Sequence, residues 1–220
     1  MFYTLLEAQN IVKSYNNIQV LRGISLQVSQ GEFISIVGAS GAGKSTLLHI
    51  LSTIDKPDSG IISYHSENVV TYSAKKLAEF RNKHIGFVFQ FHNLFPEFSA
   101  LENICIPAYI GNAPQKQTEA KAMELLEILK LTHRAHHKPG QLSGGEQQRV
   151  AVARALINNP KIVYADEPSG NLDAANAEDL HRLFFDLRKQ MGQTFIVVTH
   201  SDTFANMADK KYVIKEGIIA

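Results

Sequence analysis

Residues 38–46 read Gly38-Ala39-Ser40-Gly41-Ala42-Gly43-Lys44-Ser45-Thr46 and match the pattern G-x-x-x-x-G-K-[ST] at every fixed position. A β-branched run precedes them at 32–37, and a helix is expected over 44–52. Glycines let successive backbone N–H groups turn toward phosphate oxygens, and the helix N-terminus adds a favourable dipole. The segment therefore predicts a phosphate-binding loop: Lys44 reaches the β- and γ-phosphates, Ser45 binds Mg²⁺, and Thr46 lies near the α- and β-phosphates.

A second motif reads Ile162-Val163-Tyr164-Ala165-Asp166-Glu167 and predicts an apolar strand that ends in two carboxylates. Ligands bind at the carboxyl ends of strands in α/β sheets. Alternation along the strand separates the two side chains, so Asp166 is predicted to hold Mg²⁺ and Glu167 to act as the general base on an attacking water. A solvated strand end is the alternative. If Tyr164 is buried, its hydroxyl needs a partner.

A third motif reads Leu142-Ser143-Gly144-Gly145-Glu146-Gln147-Gln148-Arg149 and opens an apolar helix. A hydroxyl and two glycines at a helix N-terminus form a second candidate anion site. It lies roughly 100 residues after the first. Both sites can act on one nucleotide only if the chain folds them together or if two chains pair.

The distribution of predicted elements indicates an α/β fold with a mainly parallel sheet covered on both faces. Strand and helix patterns alternate before about residue 90 and again from Ser143. The section between is proline-rich and includes a helix predicted over 118–131. We therefore expect one domain over 1–220, with a core formed by 1–89 and 159–220 and a helical lobe over about 90–158.

Composition narrows the class of protein. The chain has 220 residues, 45% hydrophobic and 20% charged, which is ordinary globular usage. Its 22 basic and 21 acidic residues balance, so charge gives no case for nucleic acid as a partner. Cys105, the single cysteine, is expected to be a small buried hydrophobe. No targeting segment and no apolar run of about 20 residues is visible, so a membrane role is expected to act through a partner.

The third motif resembles the signature of ABC-transporter nucleotide-binding domains, and the resemblance extends over essentially all 220 residues. Other markers of that family appear in order. They are an aromatic before the phosphate loop (Tyr15), a glutamine after a strand (Gln90), the D-loop Gly170-Asn171-Leu172-Asp173, and a histidine after a β-branched strand (His200).

This resemblance implies a P-loop NTPase fold with an N-terminal antiparallel β-subdomain and an inserted helical lobe. It also implies ATP and Mg²⁺ as cofactors and a head-to-tail homodimer that encloses two ATP molecules. Gln90 and His200 join Glu167 as implied catalytic residues, and Gln90 also joins Ser45 and Asp166 around Mg²⁺. Packing of Tyr15 in the sheet and helix capping by His200 are the alternatives. The implied nucleotide contacts are Tyr15, residues 38–46, Ser143, Gly144, Gly145, Glu146 and Asp173, with the signature residues acting on the γ-phosphate bound to the other chain.

Three segments, 89–103, 133–139 and 167–173, resemble the lipoprotein-releasing (Lol-type) ATPase subunit of the bacterial inner membrane. That resemblance implies integral membrane permease subunits as partners and a location on the cytoplasmic face of the membrane. Phe91–Phe98 is apolar enough to be a docking segment, although packing inside the lobe remains open. The GNLD sequence is shared with macrolide-exporter and cell-division relatives, so an ATPase that does not release lipoproteins is the alternative.

Three further interpretations are less favoured. Soluble ABC ATPases of DNA repair or translation usually insert a coiled coil or carry two nucleotide domains, which 220 residues do not accommodate. The signature motif argues against a P-loop kinase. The histidines at 133, 136 and 137 invite a metal site, but a solvated loop before the signature helix is favoured because partners that would orient such ligands are not evident.

Overall fold

The computed structural model describes residues 4–220, so Met1, Phe2 and Tyr3 of the predicted domain lie outside the described residues. Two sheets form its framework. The first is antiparallel, with strand order β2-β1-β4-β5. Its strands are β1 (Thr4–Tyr15), β2 (Ile18–Ser29), β4 (Ser59–Tyr64) and β5 (Glu67–Asn68).

The second sheet has the order β10-β9-β3-β8-β7-β6 and is parallel except at β10, which is antiparallel to β9. Parallel neighbours bring the carboxyl ends of their strands to one edge of the sheet. The strands are β3 (Phe33–Gly38), β6 (Ile85–Val88), β7 (Ile162–Asp166), β8 (Thr194–Val198), β9 (Lys210–Lys215) and β10 (Ile218–Ile219).

Seven α-helices accompany the sheets within residues 4–220. They are α1 (Lys44–Leu51), α2 (Ala74–His84), α3 (Ala100–Ile110), α4 (Gln115–Ile128), α5 (Gly144–Leu156), α6 (Ala174–Met191) and α7 (Asp202–Asn206).

The parallel sheet separates two hydrophobic cores. Every residue of β8 is buried, and alternate residues contribute to opposite sides: Phe195 and Val197 pack with α3–α6, whereas Ile196 and Val198 pack with α1 and the antiparallel sheet. This two-sided burial explains why the strand is a continuous apolar run. The predicted α/β class with a mainly parallel sheet is confirmed, as is the antiparallel N-terminal sheet.

The helical elements differ from the prediction in two places. Helix α4 spans Gln115–Ile128 rather than 118–131, and Ala122, Leu125 and Leu126 along it are buried. Helix α3 was not predicted, because Pro107 lies inside it and normally argues against a helix. A capping box between Ser99 and Glu102 secures its N-terminus, and Ile104 and Ala108 are buried, so packing outweighs the hydrogen bond that Pro107 removes.

Tyr164 on β7 has the buried hydroxyl partner that its position required. It is fully buried, and its hydroxyl lies 3.1 Å from the carbonyl oxygen of Leu51, to which the Tyr64 hydroxyl donates at 2.7 Å. The two tyrosine hydroxyls also contact each other. The pair ties β7 and the antiparallel sheet to the carboxyl end of α1.

Candidate functional site

The phosphate-loop segment connects β3 to α1 and depends on glycine at two points. Gly43, the residue before α1, has φ 102°, and a Cβ there would lie 2.8 Å from Leu21. A Cβ on Gly38 would lie 2.2 Å from the carbonyl oxygen of Ile214. Any larger residue would displace backbone at Gly38 and strain it at Gly43, so the loop conformation explains the sequence pattern.

Lys44, the first residue of α1, places its ammonium group over this loop. Its Nζ donates to the carbonyl oxygens of Gly38 at 3.0 Å and Ala39 at 2.9 Å, and the residue is buried. Neutral carbonyls are weaker partners for an ammonium than phosphate oxygens are. The side chain is therefore positioned to exchange them for a phosphate.

Ser45 and Asp166 meet although 121 positions separate them. Ser45 Oγ donates to Asp166 Oδ1 at 3.0 Å. Burial raises the pKa of Asp166, although the hydrogen bond from Ser45 opposes part of this increase. A hydroxyl and a carboxylate are suitable ligands for Mg²⁺, which usually binds only a few protein oxygens. The cation would also offset the cost of burying the charged Asp166 carboxylate.

His49, in the last turn of α1, was not singled out from the sequence. Its Nε2 lies 3.9 Å from Asp166 Oδ2, and its ring packs 5.7 Å from that of Phe87. The only signal for it is spacing, because residues 45 and 49 are one helical turn apart and share a face.

Glu167 and His200 are brought into direct contact at the ends of β7 and β8. Glu167 Oε1 lies 2.7 Å from His200 Nε2. Glu167 has φ 44°, an uncommon conformation for a residue with a side chain, and its N–H donates to Val198 O at 3.0 Å. The strained backbone turns this carboxylate out of the strand and toward the histidine.

Gln90 follows β6 and lies beside the D-loop segment. Its Nε2 would lie 3.0 Å from a Cβ on Gly170, and its carbonyl accepts from Asn171 Nδ2 at 3.2 Å. Glycine at 170 therefore gives room for the glutamine side chain.

Helix α5 holds the chain on both sides of Gln90 through two residues that sequence reasoning missed. Gln148 Nε2 donates to Phe89 O at 3.2 Å. Arg154 donates to Asn93 O at 2.6 Å and to His92 O at 2.8 Å. Polar side chains on an otherwise apolar helix were the available signal, since buried polar groups require partners.

The signature residues form the N-terminus of α5. Ser143 Oγ accepts from Glu146 N at 3.2 Å, and Glu146 Oε2 accepts from Ser143 N at 2.7 Å, which is a capping box. Glu146 Oε1 also accepts from Arg134 Nε at 2.9 Å. Both Glu146 oxygens thus have partners within the chain, whereas the family resemblance implies a contact between Glu146 and nucleotide.

The signature residues and the D-loop lie next to each other in the folded chain. A Cβ on Gly145 would lie 2.7 Å from Asn176 Oδ1, and one on Gly144 would lie 3.6 Å from Leu172. Asp173 caps α6 by accepting from Asn176 N at 2.9 Å. No hydrogen bond or ion pair within residues 4–220 joins the signature to the phosphate loop.

Tyr15, at the end of β1, is 45% exposed and so is not packed inside the sheet. Its hydroxyl donates to the carboxylate of Asp55. Burial and the Asp55 carboxylate raise the pKa of Tyr15 to about 12, although the Thr46 side chain opposes part of this increase.

The segment Phe91–Phe98 presents aromatic rings to solvent. Phe91 is 67% exposed, Phe95 49% and Phe98 43%, whereas Leu94 packs against the core. Buried Asn103 fixes the backbone by accepting from Phe95 N at 2.8 Å and donating to the carbonyls of Phe95 and Phe98 at 3.1 Å. The exposed rings are therefore held on an ordered backbone rather than inside the lobe.

Three further expectations from the sequence concern Cys105, a metal site at the clustered histidines, and membrane-spanning helices. Cys105 is buried in the core. Across residues 4–220 no group of three or more His, Cys, Asp and Glu side chains is arranged to hold a metal, the histidines at 133, 136 and 137 included. In the same range, no helix combines the length and apolarity needed to cross a bilayer.

Comparisons of this sequence with known proteins agree on one family. The ABC transporter family profile matches residues 21–170. A lipoprotein-releasing system ATP-binding protein LolD of Cytophaga hutchinsonii is 58% identical over 98% of this chain and 98% of its own length. A protein of the same name from Bacteroides fragilis is 55% identical over 98% of this chain and 100% of its own.

Solved structures agree in fold. The dimeric ATP-binding cassette MJ0796, in a post-hydrolysis state bound to ADP and Pi, superposes with a TM-score of 0.89 at 38% identity, over 98% of this chain and 96% of that one. The cbiO1 protein of Clostridium perfringens, part of the cbiONQ transporter complex, gives 0.90 at 29% identity, over 99% and 87%. From motifs, fold and relatives together, the chain belongs to the ABC transporter family.

Proposed function

We propose that this chain is the ATP-hydrolysing subunit of an ABC transporter that releases lipoproteins from the bacterial inner membrane. The observation that supports hydrolysis is the convergence of the phosphate loop, the Ser45–Asp166 pair and the Glu167–His200 pair at the carboxyl ends of β3, β7 and β8. The observation that supports lipoprotein release is near-full-length similarity to proteins named for that system.

Ser45, Asp166 and Gln90 would hold Mg²⁺ with ATP in the phosphate loop. The cation would neutralise charge on the β- and γ-phosphates. Lys44 and the backbone N–H groups of residues 38–46 would bind the same phosphates, with Tyr15 stacked on the adenine.

Glu167 would accept the proton of the attacking water, and His200 would orient that carboxylate and contact the γ-phosphate. Their 2.7 Å contact supports this assignment, because a base needs a fixed orientation as well as a suitable pKa. Gln90 would position the same water.

A homodimer would complete each site. The N-terminus of α5, with Ser143, Gly144, Gly145 and Glu146, would face the γ-phosphate held by the other chain, and Asp173 would link the two sites. This proposal is supported by the dimeric assembly of MJ0796.

We also propose the division of the chain into a core over 1–89 and 159–220 and a helical lobe over about 90–158. Integral membrane permease subunits would dock near Phe91–Phe98, which keeps the ATPase on the cytoplasmic face of the inner membrane. Three exposed rings in eight residues support a docking role, since such patches mark interaction sites.

The test is a substitution in the docking segment. Phe91→Ser or Phe95→Ser removes exposed apolar area, so basal ATPase and the melting temperature should stay near wild type. Co-purification with the membrane subunits and release of lipoprotein from vesicles reconstituted with them should fall by tenfold or more, about the effect of losing a binding hot spot.

Ile61→Ser, which removes a side chain 43% exposed on β4, is the matched control and should release lipoprotein normally. Normal release by both phenylalanine variants would place the docking site elsewhere. If the wild-type complex hydrolyses ATP but leaves lipoproteins in the vesicles, the alternative of a non-releasing ABC complex would replace this function.

A further inference from the structure

His181, on α6, connects the two segments that carry Glu167 and His200, although no part of the hydrolytic site described above includes it. The residue is buried. Its Nε2 lies 2.9 Å from Ser169 Oγ, and its ring stacks on Phe204 with centroids 3.9 Å apart and planes 10° from parallel.

Ser169 belongs to the turn that starts at Glu167. Gly170 N donates to Glu167 O at 2.9 Å and closes a four-residue turn, in which Ser169 is the third residue. Because Glu167 is held at φ 44°, its side-chain direction depends on this turn. A bond to Ser169 therefore acts on the geometry of Glu167.

Phe204 belongs to the segment that starts at His200. Ser201 N donates to Thr199 Oγ1 at 3.0 Å, and Phe204 N donates to Ser201 Oγ at 3.3 Å at the start of α7. The first bond spans His200, and the second secures the segment that follows it. Phe204 is fully buried, so a ring stacked on it fixes the base of the segment that presents the histidine.

We propose that His181 is a positioning residue that fixes the Glu167 turn relative to the His200 segment and so keeps these two side chains in contact during ATP hydrolysis. This rests on the hydrolytic role proposed above for Glu167. Burial lowers the pKa of His181, so the neutral ring is favoured near neutral pH and exchanges one hydrogen bond with Ser169.

The two contacts can be removed separately. His181→Phe keeps a ring for Phe204 but loses the bond to Ser169, and Ser169→Ala removes the same bond from its other end. His181→Gln keeps a terminal amide for Ser169 but loses the stack. His84→Phe is the control, because His84 packs on Phe80 before the start of β6, at the opposite end of the strands from Glu167.

The experiment measures kcat and KM for MgATP, the Kd of a fluorescent ATP analogue and the melting temperature of each full-length variant. We expect Ser169→Ala and His181→Phe each to lower kcat by about three- to tenfold, the worth of one hydrogen bond. KM and Kd should stay within about twofold of wild type. The double variant should match the single variants because both remove one bond. His181→Gln should lower kcat to a similar extent, because it removes the contact with the His200 segment.

Normal kcat in Ser169→Ala overturns the proposal, and this variant decides the matter if His181→Phe does not fold. A lower melting temperature with unchanged kcat assigns His181 to packing alone and also overturns it. If the double variant lowers kcat by the product of the two single effects, the two side chains act independently, and the proposal is again overturned. Glu167→Gln is measured in parallel to distinguish failure of the His181 proposal from failure of the proposed function. If this variant retains turnover, the hydrolytic role of Glu167 itself fails.

Discussion

At the scale of single residues, Glu167 carries the sharpest chemical expectation. Glu167→Gln keeps the shape and removes the proton acceptor, so turnover should fall about 10²–10⁴-fold. ATP binding should persist, and an ATP-bound dimer should accumulate. ATPase assays and size-exclusion chromatography with ATP check this.

Glu178→Gln is the matched control for that variant. Glu178 is an exposed carboxylate on α6 that pairs with Arg182 one helical turn away, so its loss should leave turnover unchanged. Near-normal turnover in Glu167→Gln would remove the residue from the role of general base.

Tyr164 gives a prediction about stability. In Tyr164→Phe the ring still fills its buried position, and Tyr64 still donates to Leu51 O at 2.7 Å. The free energy of unfolding should therefore fall by about 1 kcal/mol, the net worth of one buried hydrogen bond. Urea denaturation measures it. A loss similar to that of Tyr164→Ala, where a large cavity adds about 3–5 kcal/mol, would show that the hydroxyl matters more than the ring.

At the scale of elements, the N-terminus of α5 has two tasks that one substitution separates. Ser143→Ala removes the capping hydroxyl and should cost about 1 kcal/mol of stability. If the same hydroxyl contacts ATP in the dimer, kcat/KM should also fall. Chemical denaturation and ATPase assays measure the two effects.

Ser99→Ala is the matched control, since Ser99 forms the equivalent capping box at α3. It should cost similar stability and leave the ATPase unchanged. Equal ATPase activity in both variants would limit Ser143 to its capping role.

Elements also show where prediction from sequence works. The signature cap at Ser143 follows from residues a few positions apart, so the start of α5 was predictable. Helix α3 was not, because burial of Ile104 and Ala108 outweighs Pro107, and burial is a property of the assembled fold.

At the scale of the whole molecule, the proposed dimer predicts complementation. Lys44→Ala should abolish productive nucleotide binding, whereas Ser143→Arg should leave binding on the monomer intact and block closure. Each variant alone should be inactive, but mixing them forms heterodimers with one intact composite site. Some ATPase activity should reappear, measured against the unmixed proteins. A Ser143→Arg monomer with normal hydrolysis would show that the signature does not act across the dimer.

The sequence alone determined the local chemistry of this protein. The phosphate loop, the paired carboxylates and the signature are each contiguous motifs whose chemistry depends on residue spacing within one short segment. Only the tertiary structure decided which distant residues meet: Ser45 with Asp166, Gln148 with Phe89, and Tyr64 with Tyr164 lie 121, 59 and 100 positions apart. The physical reason is that such contacts are set by strand order and by packing on the two faces of one sheet, which no local pattern of residues encodes.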